Sequence, residues 1–309
     1  MTLILAVTSP HCIWMCADRR LSGGSAPEEN DARKITKLEC VDGPALIGYM
    51  GLGRTAFGRV EPSDWIARTL NGIDLPVEQT LQVLADAARR QLLPALQFLS
   101  PKEPVVQHCF LTVAFVNKEP RAYATLLSID RSNRKLGFNH TRLITSKHYK
   151  FGQRGAYIAS VGGWDGSKIL KSRREERRMR LLVKAFDRGA ISASAVARAL
   201  ARVNYAVHLE MPKPQTVGPK SLVEWRLKDG GGGLQDFNGV NPEARDSFSH
   251  MTPYVGRGKN MQPILEIIIP EVMARMEVMR AGGPAEPLDR DAMNRALAGL
   301  PEGPDDQLR

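Results

Sequence analysis

The first fifty residues contain two pairs of apolar segments, and a short turn separates the members of each pair. Residues Thr2–Thr8 and Cys12–Asp18 flank Ser9-Pro10-His11 and are rich in β-forming residues, which predicts a hairpin of two buried strands. Pairing about that turn places Thr2 opposite Asp18. Residues that lie opposite each other in a ladder share one face of the sheet. We therefore expect a hydroxyl and a carboxylate to be neighbours.

A second hairpin follows. The segment Arg33–Glu39 predicts a strand, Asp42-Gly43 a turn and Ala45–Met50 the returning strand. This pairing places Lys34 near Gly51, where a glycine-rich loop opens the next helix. Because glycine has no side chain, its backbone N–H can approach a ligand closely. The two hairpins thus predict a hydroxyl, a carboxylate, a lysine and an accessible N–H at one place.

These groups support acyl transfer if Thr2 has a free amine. A threonine hydroxyl is a weak nucleophile until a base takes its proton, and an α-amine with a pKa of about 7.7–8.0 is such a base. The Lys34 ammonium would lower that pKa, since like charges disfavour protonation, and Asp18 would hold the lysine. The Gly51 N–H would stabilise a developing oxyanion. We expect Met1 to be excised before the small Thr2, with no propeptide to cleave.

The residues Thr2, Ala17-Asp18-Arg19-Arg20, Lys34 and Gly51-Leu52-Gly53 resemble, in identity and spacing, the proteasome β-subunit branch of the N-terminal-nucleophile (Ntn) hydrolases. The resemblance covers about residues 2–229 in element order. It implies six catalytic-site residues with these roles: Thr2 as nucleophile, Lys34 as its activator, Asp18 as the partner of the lysine, Arg20 as a support of that network, Gly51 as the oxyanion-hole glycine, and Ser160 as a serine that assists proton transfer at the amine.

Two features depart from the family pattern. The family often has a threonine or serine after the nucleophile, and this chain has Leu3. The family also has an acidic residue and a serine-glycine pair near the end of its last long helix. Glu210 and Thr216-Val217-Gly218 are the nearest candidates here, at a spacing that fits poorly. The support of the Thr2 amine is therefore the open part of the assignment.

Beyond the hairpins, the pattern alternates strands with pairs of helices. The predicted helices are Gly51–Leu70, Val77–Leu99, Ser167–Arg188 and Ser192–Leu209, and the further strands are His108–Val116, Ala122–Asp130, Leu136–Ser146, Tyr157–Val161 and Val217–Leu227. Two helices per sheet predict an α+β fold of two sheets packed face to face with helices outside, a four-layer αββα sandwich. The Ntn resemblance implies the same layout.

The domain assignment places an Ntn hydrolase-like domain at residues 1–229 and a C-terminal extension at residues 230–309. In the extension we expect a strand at Met261–Ile269 and a helix at Pro270–Arg280. A second helix at Leu288–Leu300 would be capped by Asp289, and a disordered tail would follow.

Composition excludes several classes. No apolar run approaches the ~18 residues that a membrane helix needs, and the N-terminus lacks the basic region of a signal peptide. The four cysteines, Cys12, Cys16, Cys40 and Cys109, lack the spacing of metal ligands, so we expect reduced thiols in a cytoplasmic protein. We predict no metal and no cofactor.

The net charge is +10, and half of it lies in one predicted helix segment, Lys168–Arg180, whose seven basic and two acidic residues give +5. No aromatic residue is interleaved for base stacking. We therefore interpret it as a solvated or subunit-contacting helix face. Binding of a nucleic acid or another anion through this segment is the alternative.

The sequence favours a threonine-type hydrolase of peptide or amide bonds. The resemblance also implies a homo-oligomer, such as a ring. Two alternatives stay open. One is an amidase or acyltransferase that acts on a small molecule through the same nucleophile, and the other is a proteasome-like scaffold without catalysis.

Overall fold

The computed structural model describes residues 2–20, 31–51, 61–94, 96, 108–130, 135–143, 157–161, 173–210, 217–243, 252–284 and 289–298. The helices are α1 (Pro62–Thr69), α2 (Val77–Gln91), α3 (Arg173–Asp187), α4 (Ala193–Glu210), α5 (Gln262–Arg280) and α6 (Arg290–Ala298). None of the helices in these ranges has the length and apolar character needed to cross a membrane.

The strands form two sheets. The strands are β1 (Ile4–Thr8), β2 (Cys12–Asp18), β3 (Ile35–Cys40), β4 (Gly43–Met50), β5 (His108–Val116), β6 (Glu119–Ile129), β7 (Leu136–Leu143), β8 (Tyr157–Val161), β9 (Lys220–Leu227), β10 (Gly232–Asn238), β11 (Asn241–Pro242), β12 (Tyr254–Gly256) and β13 (Lys259–Asn260). The first sheet has the order β11-β10-β9-β2-β1-β8, and the second has the order β13-β12-β3-β4-β5-β6-β7. All neighbours are antiparallel except β12 and β3.

Three apolar clusters account for the core. The first joins α1 and α2 to one face of the second sheet, and the second joins α3 and α4 to one face of the first sheet. The third brings side chains of both sheets together, among them Ile4, Ile13, Met15, Leu46, Leu111 and Phe115. Alternation along β2 explains this division, because Cys12, Trp14 and Cys16 belong to the second cluster while Ile13, Met15 and Ala17 belong to the third.

The sequence predicts some elements to the residue. Strands Cys12–Asp18, His108–Val116 and Tyr157–Val161 are confirmed. Of the helix predicted over Gly51–Leu70, the described part is α1, which begins at Pro62, where proline favours a first helical turn. The helix predicted over Val77–Leu99 ends at Gln91, three residues before Pro94. The predicted residues 52–60, 95, 97–99, 144–146, 167–172, 288 and 299–300 and the predicted tail at 301–309 lie outside the described residues.

The register of the first hairpin differs by one residue from the prediction. Ile4 pairs with Ala17, so Leu3 rather than Thr2 lies opposite Asp18. The reason is the turn, where the Ser9 hydroxyl accepts hydrogen bonds from the N–H groups of His11 (3.2 Å) and Cys12 (3.1 Å). The N–H of Ser9 donates to the carbonyl of Cys12 at 2.8 Å, so the turn has the two residues Pro10-His11 instead of the predicted three.

The register of the second hairpin is also shifted. Ile35 pairs with Gly48, and the backbone carbonyl of Lys34 accepts a hydrogen bond from the N–H of Tyr49. Lys34 therefore lies opposite Tyr49, two positions from its predicted place near Gly51. The turn is Val41-Asp42 and not Asp42-Gly43. Gly43 belongs to β4 and pairs with Cys40. A Cβ at this position would lie 2.2 Å from the carbonyl oxygen of Phe115 in β5, so the close approach of the two strands requires glycine here.

The predicted C-terminal extension contributes to both sheets. Strand β10 pairs with β9, and β12 pairs with β3, and both lie beyond residue 229. The strand predicted at Met261–Ile269 is wrong, because this segment is the first half of α5. The predicted cap of the last helix is confirmed, since Asp289 accepts a hydrogen bond from the N–H of Asp291 at 3.1 Å.

Candidate active site

The ammonium group of Lys34 lies at the centre of a buried polar cluster. Its Nζ donates to Thr2 Oγ1 at 2.9 Å and to Asp18 Oδ2 at 3.0 Å, and it also donates to the backbone carbonyl of Arg20. An ammonium has three N–H groups, so these three acceptors satisfy all of them. Lys34 is 1% exposed, Thr2 5% and Asp18 0%. The cluster is therefore withdrawn from water.

The carboxylate of Asp18 is held on both oxygens. Oδ1 accepts from the N–H of Leu3 at 2.7 Å. Oδ2 accepts from the N–H groups of Arg20 (3.1 Å) and Gly218 (3.3 Å) in addition to Lys34. Four donors thus hold this one side chain. Asp18 thus has a fixed direction and serves as the counterion of Lys34.

Burial lowers the pKa of Lys34 from the ordinary value of a lysine, and the charge of Asp18 and its hydrogen bond oppose that shift. Desolvation is the larger effect. Lys34 therefore releases its proton more readily than a solvated lysine does. While it is protonated, its charge lies 2.9 Å from Thr2 Oγ1. An ammonium beside a hydroxyl favours loss of the hydroxyl proton.

Gly51 directly follows β4 and has a backbone φ of +150°. A Cβ at this position would lie 2.6 Å from Tyr49 Oη and 2.8 Å from His108 Nδ1. Glycine is therefore required here by both conformation and space. The direction of its N–H toward Thr2 stays a prediction, and Leu52 and Gly53 lie outside the described residues.

The remaining two predicted residues are placed by their backbones. Arg20 joins the site through its peptide groups, whose N–H reaches Asp18 and whose carbonyl accepts from Lys34. Ser160 lies on β8 opposite Leu5 of β1, so its strand runs beside the N-terminal segment. The chemical roles of both residues stay predictions. The glycines that follow β8, at 162 and 163, lie outside the described residues.

Several residues of the site do not follow from the sequence pattern. Gly218 is predicted only as part of a poorly fitting candidate for the serine-glycine pair, and its N–H reaches Asp18 from a segment 200 positions away. Tyr49 Oη and His108 Nδ1 form a 2.5 Å hydrogen bond below Gly51. Desolvation lowers the pKa of His108 to about 4, and burial raises the pKa of Tyr49 above its usual range. Tyr49 and His108 lie on largely apolar strands, β4 and β5, and nothing in the sequence indicates that their side chains form a hydrogen bond.

The predicted basic segment is described from residue 173 onward, as α3. A groove of about 530 Å³ runs along this helix and is lined by Arg174, Arg177, Arg178, Leu181 and Leu182. Its lining includes none of the residues of the Lys34 cluster. Two acidic residues of the same helix pair with arginines, Glu175 with Arg178 and Glu176 with Arg180. An anionic partner at this face stays a prediction.

The four cysteines are free and buried. Within the part of the chain that the structure describes, no group of three or more His, Cys, Asp or Glu residues is placed to hold a metal ion.

No protein-family model and no curated protein matches the chain. Solved structures with similar folds include the Gly-1 mutant of Anbu from Hyphomicrobium sp. strain MC1, at 12% identity and a TM-score of 0.48, over 90% of this chain and 100% of that chain. The helical assembly of the Anbu complex from Pseudomonas aeruginosa gives 11% identity and a TM-score of 0.47, over 93% and 99%. HslV from Trypanosoma brucei gives 15% and 0.36, over 72% and 98%. These TM-scores are below 0.5, so the similarity establishes neither the fold family nor the function of this chain.

Proposed function

We propose that the protein is an N-terminal threonine hydrolase that cleaves amide or peptide bonds through Thr2. The observation that carries the proposal is the 2.9 Å hydrogen bond from Lys34 Nζ to Thr2 Oγ1 in a cluster that excludes water. This bond places a buried ammonium directly against the hydroxyl that would act as the nucleophile, where its charge favours loss of the hydroxyl proton. Thr2 would also gain a free α-amine if Met1 is excised.

The reaction divides into two acyl transfers. In the first, the Thr2 amine takes the proton of Oγ1, the oxygen attacks the substrate carbonyl, and the amine of the substrate leaves with the proton. In the second, water attacks the resulting ester and releases the acid and the Thr2 hydroxyl. Lys34 stabilises negative charge on Oγ1 during attack, and Asp18 keeps the lysine in place. The backbone N–H of Gly51 is assigned to the oxyanion.

The fold that we propose is the four-layer αββα arrangement of the Ntn hydrolases. What supports it is the division of the core into one cluster between the sheets and one cluster under each helix pair. The assignment of residues 1–229 to the hydrolase domain and residues 230–309 to an extension stays a prediction, and β10 and β12 of the extension pair with strands of that domain.

Labelling with a small β-lactone tests the nucleophile without knowledge of the substrate. The Thr2 oxygen would open the strained ring and gain the mass of one lactone as an ester. Intact mass of the untagged protein shows first whether Met1 is absent, and peptide mapping then locates the label. We expect one label on Thr2 in the wild type and in Thr2→Ser, and none in Thr2→Ala.

Retention of Met1 on all molecules, or a label that persists in Thr2→Ala, would contradict the proposal. The first result would favour a scaffold without catalysis. If Thr2 is labelled, hydrolysis of peptide amides against small acyl amides separates the peptidase from the amidase or acyltransferase.

We further propose a homo-oligomer. Its support is α5, in which none of the 19 residues is buried and which exposes Met276, Val278 and Met279. Exposed apolar surface of this kind is typical of an interface. Sedimentation velocity tests it, and a monomer at high concentration would contradict it. The cytoplasmic location stays a prediction.

A further inference from the structure

Arg19 is a buried cation at the end of β2, and no catalytic or binding role was predicted for it. Its side chain is 2% exposed. Nη1 donates to Asp236 Oδ1 of β10 at 2.8 Å, and Nη2 donates to the carbonyl of Asp31 at 2.9 Å. A charge in this position is strongly disfavoured unless it is paired and hydrogen-bonded. Asp236 therefore serves as its nearer and buried counterion, while the half-exposed carboxylate of Asp31 lies 3.9 Å from Nη2.

The neighbours of Arg19 in the chain are two of the three acceptors of the Lys34 ammonium. Asp18 precedes it and accepts through Oδ2, and Arg20 follows it and accepts through its carbonyl. A displacement of the Arg19 backbone would move both acceptors together. The orientation of this short segment thus determines where the ammonium lies relative to Thr2.

The backbone of Arg19 is also fixed on both sides. Its N–H donates to the carbonyl of Lys220 at 3.1 Å, and its carbonyl accepts from the N–H of Ala32 at 3.0 Å. The guanidinium adds Asp31, which lies three residues before Lys34 in the chain. One side chain thereby ties the end of β2 to β10 and to the segment that enters β3.

We propose that Arg19 and its counterion Asp236 are positioning residues that hold the Lys34 ammonium against Thr2. Strand β10 then belongs to the functional machinery although it lies in the predicted extension. The catalytic consequence rests on the proposed function, whereas the geometric consequence for Lys34 does not. A pair that only stabilised the fold would change unfolding and leave the ammonium as it is.

The ammonium is observed directly by NMR of protein with ¹⁵N-labelled lysine side chains at pH 6 and low temperature. Its three buried hydrogen bonds protect Lys34 from exchange, and the signal is assigned by its loss in Lys34→Met. In Asp236→Asn, which keeps the side-chain shape and removes the charge, we expect a shifted Lys34 signal and proton exchange with water at least tenfold faster. Arg19→Met should give the same change, and Arg19→Lys a smaller one.

Two internal controls accompany these spectra. Lys37 pairs with the buried Glu224 at 3.4 Å and should keep its signal in every variant. The matched variant is Glu39→Gln, which removes the carboxylate partner of Arg226. Arg226 and Glu39 form an arginine–carboxylate pair that joins two strands, as Arg19 and Asp236 do. It should leave the Lys34 signal unchanged. Circular dichroism confirms that each variant is folded.

The β-lactone reaction gives the catalytic readout. In Asp236→Asn and Arg19→Met we expect the labelling rate of Thr2 at saturating lactone to fall at least tenfold, with the half-saturating lactone concentration unchanged. Arg19→Lys should recover part of the rate.

The outcomes are separable. An unchanged Lys34 signal in folded Asp236→Asn overturns the positioning proposal, and so does an equal change in Glu39→Gln, because the effect would then be general. If Arg19→Met does not fold, Arg19→Lys and Asp236→Asn decide the question. If the wild type is not labelled at Thr2, the proposed function fails, and the Lys34 signal alone decides whether Arg19 and Asp236 position the ammonium.

Discussion

At Gly51, the absence of a side chain has a measurable consequence. An alanine at this position would place its Cβ 2.6 Å from Tyr49 Oη and would have to adopt a φ of +150°. We expect Gly51→Ala to be destabilised by about 2 kcal/mol from backbone strain and overlap and to label Thr2 at least tenfold more slowly, since an oxyanion donor would be displaced. Urea unfolding and the labelling rate measure the two effects.

The control for Gly51 is Gly189→Ala. Gly189 also has a positive φ, of +72°, but a Cβ there would meet nothing within 4 Å. It should lose stability through strain alone and label at the wild-type rate. A wild-type labelling rate in Gly51→Ala would show that this N–H is not the oxyanion donor.

His108 predicts a pH dependence of stability. Its pKa is about 4 in the folded protein because of desolvation, against about 6.5 when unfolded. Between these values the unfolded chain binds more protons, so stability is fully present above about pH 6.5 and decreases as the pH falls toward 4. The expected loss from this group is about 2 kcal/mol between pH 7 and pH 5.

Urea unfolding at both pH values, in wild type and His108→Gln, measures this contribution. The variant should lose that part of the dependence, whatever its stability at pH 7. His11→Gln alters an exposed histidine and should keep the wild-type dependence. An equal decrease in wild type and His108→Gln would exclude His108 as the cause.

The candidate site was predictable from the types of its residues and their order in the two hairpins, although the predicted registers of both hairpins were wrong. Thr2, Asp18 and Lys34 were indicated by type and by hairpin order, and all three meet in the structure. Arg19 and Asp236 were not predictable as a pair, because they are 217 positions apart and a single sequence carries no signal of such contacts.

At the scale of elements, the close approach of the two sheets is set by Gly48 of β4. A Cβ at Gly48 would lie 2.7 Å from Ile4 Cγ2 and 2.7 Å from Met15 Sδ, and both belong to the cluster between the sheets. We expect Gly48→Ala to be destabilised by about 1–3 kcal/mol through overpacking, as measured by urea unfolding.

Met15→Ala provides the test of this cause. Alone it should destabilise by leaving a cavity, but combined with Gly48→Ala it makes room for the new methyl group. The double variant should be more stable than the sum of the single effects predicts. Simple additivity would show that the two side chains do not compete for space.

Strands with a clear period and boundary were predictable, and turns determined the errors. The registers of the two hairpins differ from the prediction by one and two positions. The Ser9 cap in the first turn is a local contact, whereas the close approach of Gly43 to Phe115 beside the second turn is a tertiary contact that a single sequence does not show. The apolar run Met261–Ile269 carries no period that separates a strand from a helix. Its actual state, the start of α5, follows a proline at the first helical turn.

At the scale of the whole molecule, the residues beyond 229 are expected to be essential for folding. Strand β10 covers the edge of β9 and buries Phe237, and β12 covers the edge of β3 and buries Val255. Exposed sheet edges promote aggregation. We expect a chain that ends at residue 229 to lack a cooperative thermal transition.

The matched truncation ends at residue 284. It removes α6, whose described side chains are all exposed, and should unfold within a few degrees of the full chain. A chain ending at 229 that unfolds cooperatively would support the predicted domain boundary and contradict the structural role assigned here to β10 and β12.

The central claim is that the buried Lys34 ammonium activates Thr2, and the most direct test compares two lysines. Lys34→Met and Lys37→Met each remove one lysine from β3 or its entry, and each leaves a buried carboxylate partner, Asp18 or Glu224. The β-lactone labelling rate of Thr2 is measured in both variants and in the wild type. We predict a loss of about 10²-fold or more in Lys34→Met and a rate within about twofold of wild type in Lys37→Met. Equal rates in the two variants would contradict the claim.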